Sequence, residues 1–327
     1  MHKLLFPLAA LATFLATGLA AQNHTDNPNQ PPPHTQPWPS LANGQGQQAI
    51  AESIAQGPQF NRGEPVSVLL EQRRRLDAAL TSLQPQRPGT PDAYVLTIAL
   101  DSDPVFAREA REAGQVLSRR YGAVGRTLIL AGPDGTQDDL PRGSIESLLL
   151  GLARIAELID PAEDVLVLYT TSHGNQLGLA YHYGDVGYGV LSPARLASTL
   201  EELGIEKRIL IISACYSGVF VPALASADTA ILTAAAAQRS SFGCEPENDW
   251  TFYGDALINR ALRAPVSLPE AASLAGRSIA EWESQKRLLA SLPQSAFGAK
   301  TSQWLPLLEA RIPQEATVPV GRPSVGE

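Results

Sequence analysis

The sequence predicts an α/β protein whose central sheet is mainly parallel and is covered by helices on both faces. Two continuous apolar, β-branched runs carry this prediction, VLVLYTTSHG at 165–174 and RILIISACYSG at 208–218. A strand that is apolar at successive positions is buried on both faces, which is typical of a parallel sheet. Such runs also alternate with helical segments, which favours βαβ units with right-handed crossovers.

The predicted elements follow one another in a regular order. The strands are expected at Ala93–Leu100, Arg126–Gly132, Val165–Gly174, Arg208–Gly218 and Thr229–Ala237. The helices are expected at Pro65–Leu83, Pro104–Tyr121, Ser144–Leu158, from Ser192-Pro193 onward, Asp249–Leu262 and Pro269–Leu292. Ser192 before Pro193 is a favourable helix start, and Ser267 with Glu270 forms a capping-box pattern.

A glycine-rich stretch, GLAYHYGDVGYG at 178–189, separates the strand that ends near His173 from the next helix. Its composition favours a hairpin or a loop over a core element. His182 lies in it, and we interpret this residue as a surface or loop histidine.

The N-terminus predicts export. A short basic start, Met1–Lys3, precedes an apolar run that ends in small residues, and Gly18 and Ala20 suit the −3 and −1 positions of a cut before Ala21. The alternative is a membrane anchor, but Pro7 interrupts the run and a polar flank follows it at once. We expect a signal peptide over 1–20, no stable membrane anchor after cleavage, and a periplasmic or secreted mature protein.

The remaining chain divides by composition. Residues 21–63 are rich in Pro, Gln, Asn and Gly, which predicts a disordered leader. The globular domain is expected over 64–311, with its core at 93–262, followed by a tail at 312–327.

The charge excludes one class of function. The formal net charge is −8, and the only basic cluster is Arg73–Arg75, so nucleic-acid binding has no electrostatic support. Beyond the residues at the two strand ends, no cluster of His, Cys, Asp and Glu has metal-ligand spacing, and no glycine-rich phosphate loop follows a strand. We therefore expect neither a cofactor nor a metal.

The chain has 2 cysteines, Cys215 and Cys244, which leave two interpretations open for an exported protein. They could form one structural disulfide. Alternatively, Cys215 is a catalytic thiol and Cys244 an incidental loop cysteine, which suits their settings better because Cys215 ends a buried strand.

His173 and Cys215 together predict nucleophilic catalysis. Ligands collect at the carboxyl ends of parallel strands, and an imidazole can take the proton of a nearby thiol. The Gly174 and Cys215 N–H groups can point into the same site and stabilise an oxyanion. The expected reaction is attack on an amide carbonyl, formation of an acyl-enzyme, and hydrolysis.

Three blocks, TSHG, SACYSG and TAAAAQRSSFGCEPENDWTFYGDAL, resemble the legumain-type cysteine peptidases (family C13), particularly the bacterial members. The resemblance covers roughly Ala93 to Leu262. It implies a caspase-like three-layer α/β/α sandwich, an exported cysteine endopeptidase acting on polypeptide substrates, and catalytic roles for His173 and Cys215. It also assigns the oxyanion donors to Gly174 and Cys215.

The resemblance further implies a substrate pocket. By position, Ser241 and Asp255 line the S1 pocket, although Ser241 could instead cap a turn and Asp255 could lie on a helix surface. Ser213 stands where the family has a pocket glutamate, so we also assign it to the substrate-binding S1 pocket. The family's arginine and histidine have no counterpart after the first strand. Strict cleavage after asparagine therefore does not carry over to this chain.

Asp101 and Asp103 follow the first strand, and either could orient His173. Equally, they could begin a turn and cap the helix after Pro104.

Two other functions remain open from the sequence: a catalytically inactive binding protein with a Cys215–Cys244 disulfide, and a transamidase-like acyl transferase. The sequence does not determine the oligomeric state.

Overall fold

A six-stranded sheet forms the centre of the computed structural model, which describes residues 46–55, 59–61, 64–184 and 186–325. The strands are β1 (Gln59–Asn61), β2 (Ala93–Ala99), β3 (Thr127–Leu130), β4 (Val165–Thr171), β5 (Gly174–Asn175), β6 (Gly178–Tyr183), β7 (Gly187–Leu191), β8 (Arg208–Ser213), β9 (Thr229–Thr233) and β10 (Gln294–Phe297). The central sheet has the order β10-β9-β8-β4-β2-β3, and only β10 runs antiparallel to its neighbour. All five predicted strands are present and parallel.

Helices cover both faces of this sheet. They are α1 (Gly46–Ala55), α2 (Val66–Ser82), α3 (Pro104–Arg120), α4 (Ile145–Leu158), α5 (Pro193–Glu202), α6 (Val221–Leu224), α7 (Leu268–Lys286) and α8 (Thr301–Glu309). The side chains of each central strand alternate between two cores. Val95, Val167 and Ile209 pack with α3, α7 and α8 on one face. On the other face, Leu96 and Leu168 pack with α2, α4 and α5. The predicted three-layer α/β/α sandwich is confirmed.

A small second sheet, with the order β1-β7-β6-β5, lies beside the end of β4. Strands β6 and β7 form the hairpin that was one of the two expectations for the glycine-rich stretch. His182 lies on β6, and its N–H donates to the Leu100 oxygen at 2.9 Å. This contact joins the hairpin to the end of β2.

The expectation of a disordered leader is wrong for part of residues 21–63. Helix α1 and strand β1 fall inside that segment, and β1 pairs with β7 in antiparallel fashion. The Ser192 hydroxyl also donates to the Ala55 oxygen. Pairing with an edge strand satisfies backbone groups that composition alone would leave to solvent.

The predicted tail also contacts the domain in the described part of the chain. The Trp250 indole N–H donates to the Val320 oxygen at 2.8 Å, and the Val320 N–H donates to Asn259 Oδ1 at 2.9 Å. Residues 312–325 are therefore attached to the face that carries α3 and α7.

Several element boundaries differ from the predictions, and the predicted strands all end earlier than expected. The helix expected over 249–262 is largely a π-helical turn, Gly254–Arg260, followed by a 3₁₀ turn, Ala261–Arg263. Strand β9 ends at Thr233 and α7 ends at Lys286, each several residues early. At the latter end Arg287 takes a left-handed conformation with φ of 56°, which stops a helix.

The predicted signal peptide, 1–20, lies outside the described residues. Among the helices that the structure describes, none combines the length and the hydropathy needed to cross a bilayer.

Candidate active site

Strands β4 and β8 bring His173 and Cys215 to the same edge of the sheet. The two strands are parallel neighbours, and Thr171 is the partner of Ser213 in their register. The Ser172 N–H donates to the Ser213 oxygen at 3.2 Å, which extends the pairing beyond the ends of the strands. The sequence analysis expected both residues at the carboxyl ends of neighbouring strands, and in the structure each follows its strand by two positions.

Gly174 lies so close to the nucleophile turn that no larger residue fits. A Cβ atom there would be 2.1 Å from the Cys215 oxygen and 3.0 Å from the Ala214 Cβ. The Ala180 N–H donates to the His173 oxygen at 2.9 Å, so His173 and Ala180 form a hydrogen-bonded pair. In an antiparallel ladder the next pair, Gly174 with Leu179, is then the non-hydrogen-bonded one. The Gly174 N–H therefore points away from β6.

The turn after Cys215 has a strained backbone. Tyr216 adopts φ of 58° and ψ of 12°, the left-handed region, which is uncommon for residues other than glycine. The Tyr216 N–H donates to the Arg239 oxygen at 2.7 Å and thereby holds this conformation. A sharp turn between β8 and the 3₁₀ turn Ser217–Phe220 presents the Cys215 side chain at the strand end, half-buried.

The surroundings of Cys215 favour its thiolate. A hydrogen bond from Cys244, the backbone N–H and hydroxyl of Ser241, and the charge of His173 together outweigh burial and lower the pKa of Cys215 from 9.0 to about 5. The Ser241 N–H lies 3.3 Å and its hydroxyl 3.7 Å from the sulfur. Hydrogen bonds to the charged form are a recognised cause of such shifts.

Cys244 is not the incidental loop cysteine that the sequence suggested. Its thiol donates to the Cys215 sulfur, and this hydrogen bond together with burial raises the pKa of Cys244 far above its usual range. Cys244 therefore stays protonated and acts as a donor to Cys215. Both cysteines are free thiols in this structure.

The imidazole of His173 is held between a carboxylate and a ring. Nε2 lies 3.4 Å from Asp103 Oδ2. The Phe106 ring packs edge-on against the imidazole, with ring centroids 5.0 Å apart. The side chain is 45% exposed, so a substrate can reach it.

Asp101 and Asp103, which were both candidates to orient His173, face different histidines. Asp101 Oδ2 lies 3.6 Å from His182 Nδ1, and Oδ1 accepts the Asp103 N–H at 2.9 Å. Burial raises the pKa of Asp101. Asp103 is thus the residue placed against the imidazole of His173.

Asp101, Asp103 and His173 also form the one group of possible metal ligands found among the described residues. Their ligand atoms all lie within 4.8 Å of one another. The sequence analysis did not find this group, because some seventy residues separate the aspartates from the histidine.

Comparisons with known proteins give one family match. The model of the Peptidase C13 family matches residues 149–287, a segment that contains His173, Cys215, Ser241 and Cys244. This segment, less than half of the chain, is similar to the Peptidase C13 family. The similarity supports a function of the cysteine-peptidase type with polypeptide substrates.

Caspase-1 from Spodoptera frugiperda is among the similar solved structures, with 13% sequence identity and a TM-score of 0.39 over 66% of this chain and 93% of that one. No curated protein matches the chain.

The predicted pocket residues are not brought together. Ser241 contacts the thiol, but Asp255 is fully buried and forms an ion pair with Arg260 at 3.1 Å. The Ser324 N–H and hydroxyl donate to the other carboxylate oxygen of Asp255 at 2.9 and 3.0 Å. A carboxylate saturated by internal partners has no free acceptor for a substrate, so the expectation that Asp255 lines the S1 pocket does not hold here.

Ser213 is also buried and faces inward. Its hydroxyl donates to Glu109 Oε1 at 3.1 Å and lies 3.2 Å from Thr251 Oγ1. The expectation that Ser213 contacts substrate in the S1 pocket is therefore corrected as well.

Sequence reasoning missed Glu109, a completely buried carboxylate on α3. A signal for it existed. Phe106, Ala110, Ala113 and Leu117 form the apolar face of α3 at helical spacing, and Glu109 lies on that face. A charged residue on a buried helix face requires hydrogen-bond or ion-pair partners, so its presence in the sequence indicates a buried polar cluster.

The ionisation of Cys215 is open to a direct test by alkylation with iodoacetamide. Because the pKa of Cys215 is lowered to about 5, the thiolate is half populated near pH 5, predominates at neutral pH, and is lost as the pH falls through that value. The labelling rate of Cys215 should therefore reach half its maximum near pH 5. Replacing Cys244 with Ala removes a hydrogen bond to a charged group and should move this midpoint upward by about one pH unit. Cys244 itself should label slowly at every pH below 8. A Cys215 profile that rises only near its ordinary pKa of 9.0 would contradict this account.

Proposed function

We propose that this chain is an exported cysteine endopeptidase that hydrolyses peptide bonds through the His173–Cys215 dyad. The observation that carries the proposal is the environment of Cys215. It follows a buried strand, receives hydrogen bonds from Ser241 and Cys244, and has a lowered pKa. A thiolate at neutral pH is the species that attacks an amide carbonyl.

The first half of the reaction forms an acyl-enzyme. The Cys215 thiolate attacks the scissile carbonyl carbon, and the carbonyl oxygen becomes an oxyanion that accepts hydrogen bonds from the Gly174 and Cys215 N–H groups. His173 in its protonated form then gives a proton to the leaving amine, and the C–N bond breaks. One oxyanion donor is worth about 3–4 kcal/mol of barrier.

Water completes the reaction. His173 takes a proton from water, and the resulting hydroxide adds to the thioester carbonyl. The C–S bond then breaks to restore the thiolate and release the carboxylic acid, which loses its proton to solvent. The carboxylate of Asp103 orients the imidazole and stabilises its protonated form across the 3.4 Å contact. Asp103 thus acts through His173 as a positioning residue.

Export is a part of the proposal that rests on the N-terminal sequence alone. N-terminal sequencing of protein purified from the extracytoplasmic fraction should begin at Ala21. A mature chain that begins at Met1 would contradict export.

Irreversible peptidyl electrophiles test the enzymatic proposal directly. A set of acyloxymethyl ketones that differ only at P1 should modify native protein, and mass spectrometry should locate a stoichiometric adduct on Cys215. The rate across the set reports the accepted P1 side chain. A stoichiometric Cys215–Cys244 disulfide in the purified protein, with no adduct after reduction, would favour a binding protein instead. Suppose that the electrophiles label Cys215 but that the acyl group of a peptide substrate passes to added amines rather than to water. That result would favour an acyl transferase.

A further inference from the structure

Glu109 binds the ends of both strands that carry the dyad. Its Oε1 atom accepts the Tyr169 hydroxyl at 2.5 Å and the Thr171 hydroxyl at 2.7 Å from β4, and the Ser213 hydroxyl at 3.1 Å from β8. Thr171 and Ser213 are partners across the ladder, and each precedes a dyad residue by two positions. One oxygen atom therefore sets the spacing of the two strand ends.

The other oxygen of Glu109 holds a third segment. Oε2 accepts the Thr251 N–H at 2.8 Å, and Thr251 Oγ1 accepts the Gly254 N–H at 3.0 Å. The neighbouring Phe252 N–H donates to the Phe242 oxygen at 2.9 Å, next to Ser241. Through these bonds the carboxylate reaches the loop whose Ser241 and Cys244 contact the nucleophile.

The backbone is shaped around this carboxylate. A Cβ atom at Gly254 would lie 2.1 Å from Glu109 Oε2, so only glycine permits the approach. Burial, followed by the charge of Glu109, keeps the pKa of Tyr169 well above its usual value, so the phenol remains a donor. All four contacts on Glu109 come from donors, the arrangement that suits a carboxylate anion.

Glu109 also belongs to the helix that supports His173. Asp103 precedes α3, and Phe106, one turn before Glu109, packs against the imidazole. The four segments that meet at Glu109 are α3, β4, β8 and the loop that ends at Thr251. They are the segments that supply His173, Cys215 and the donors to the thiol.

We propose that Glu109 is a positioning residue that fixes the relative placement of His173, Cys215 and the loop of Ser241. The inference rests on the proposed function for its kinetic readout and extends it to a residue that lies outside the matched family segment, 149–287. Displacing catalytic groups by about 1 Å from a distance can lower the rate about 100-fold, so the bonds of one buried carboxylate can control the reaction.

Glu109→Gln tests the inference with almost no change in volume. If the amide oxygen replaces Oε1, the amide NH₂ faces the Thr251 N–H, and two donors oppose each other. If the amide is reversed, its NH₂ faces three hydroxyls that now donate to the carboxylate. We expect kcat to fall about 10- to 100-fold while KM stays within about threefold. The pH midpoint of Cys215 alkylation should also rise, because Ser241 and Cys244 no longer hold the thiolate as closely.

Milder variants keep the test interpretable if Glu109→Gln does not fold. Tyr169→Phe and Thr171→Val each remove one donor and keep the shape of the side chain. Each should lower kcat about three- to tenfold and shift the alkylation midpoint in the same direction.

Asp164→Asn is the matched control. Asp164 is a buried carboxylate at the opposite end of β4, where it accepts the N–H groups of Asp92 and Asp160 at 2.8 Å each. It should lower the denaturation midpoint without changing kcat or the alkylation profile. The proposal would be overturned if folded Glu109→Gln had the kcat and the alkylation profile of the wild type. It would also be overturned if Asp164→Asn lowered kcat and shifted the alkylation profile as much as Glu109→Gln does.

The two proposals fail in different ways. If the wild-type protein hydrolyses no peptide but Glu109→Gln still shifts the alkylation midpoint of Cys215, the positioning role stands and the peptidase proposal fails. If hydrolysis depends on Cys215 but ignores Glu109, only the positioning role fails.

Discussion

Cys215→Ala is expected to lower kcat for peptide hydrolysis by at least about 10⁴-fold, because no other nucleophile then forms the acyl-enzyme. The substitution removes one sulfur atom at a half-buried turn, so the fold should remain intact. The measurement is hydrolysis of a fluorogenic peptide, with circular dichroism to confirm folding.

Cys244→Ala is the matched control for Cys215→Ala, because it removes the other thiol of the Cys215–Cys244 contact. It should retain hydrolysis with a changed pH dependence, because Cys244 donates to the nucleophile and does not attack. Equal losses in the two variants would point to a disulfide or a shared structural role, and the nucleophile assignment would fail.

His173→Ala is expected to lower kcat about 10²- to 10⁴-fold, the usual contribution of general acid–base catalysis. Alkylation of Cys215 should persist with a higher pH midpoint, because the charge of His173 is only one of several causes that lower the thiol pKa. The measurement combines the steady-state rate with the pH profile of labelling.

His182→Ala controls for the loss of an imidazole near the same aspartates. His182 pairs with Asp101 on β6 and should tolerate replacement with a rate within about threefold of wild type. The kcat of Asp103→Asn should lie between those of the two histidine variants, because this variant keeps the imidazole of His173 but removes the carboxylate that orients it. If His182→Ala lowered kcat strongly and His173→Ala did not, the assignment of His173 as the base would be wrong.

The sheet and the meeting of His173 with Cys215 at one of its edges could be predicted because their determinants are local. The runs at 165–171 and 208–213 are apolar at nearly every position, which commits them to a sheet buried on both faces. Parallel strands place their carboxyl ends on one edge, so His173 and Cys215 meet there wherever the helices pack. The hairpin at 178–191 and the helix start at Ser192 likewise follow from glycine content and capping residues.

The elements that were not predicted depend on partners far away in the chain. Strand β1 exists through its pairing with β7, and the π-helical turn at Gly254–Arg260 surrounds the buried groups of Asp255 and Asn259. Composition describes what a segment can bury by itself. The composition of a segment does not show whether another part of the chain provides an edge strand with which it can pair.

The sequence by itself determined the fold class and the location of His173 and Cys215 at adjacent strand ends. Only the tertiary structure decided which groups surround them. It placed Asp103 rather than Asp101 against His173 and brought Cys244 to the Cys215 sulfur. It also gave Asp255 and Ser213 internal partners and buried Glu109 between β4 and β8. The physical reason is that strand periodicity sets where a backbone goes, whereas side-chain partners across tens of residues are set by how α3 and the loop after β9 pack on the sheet.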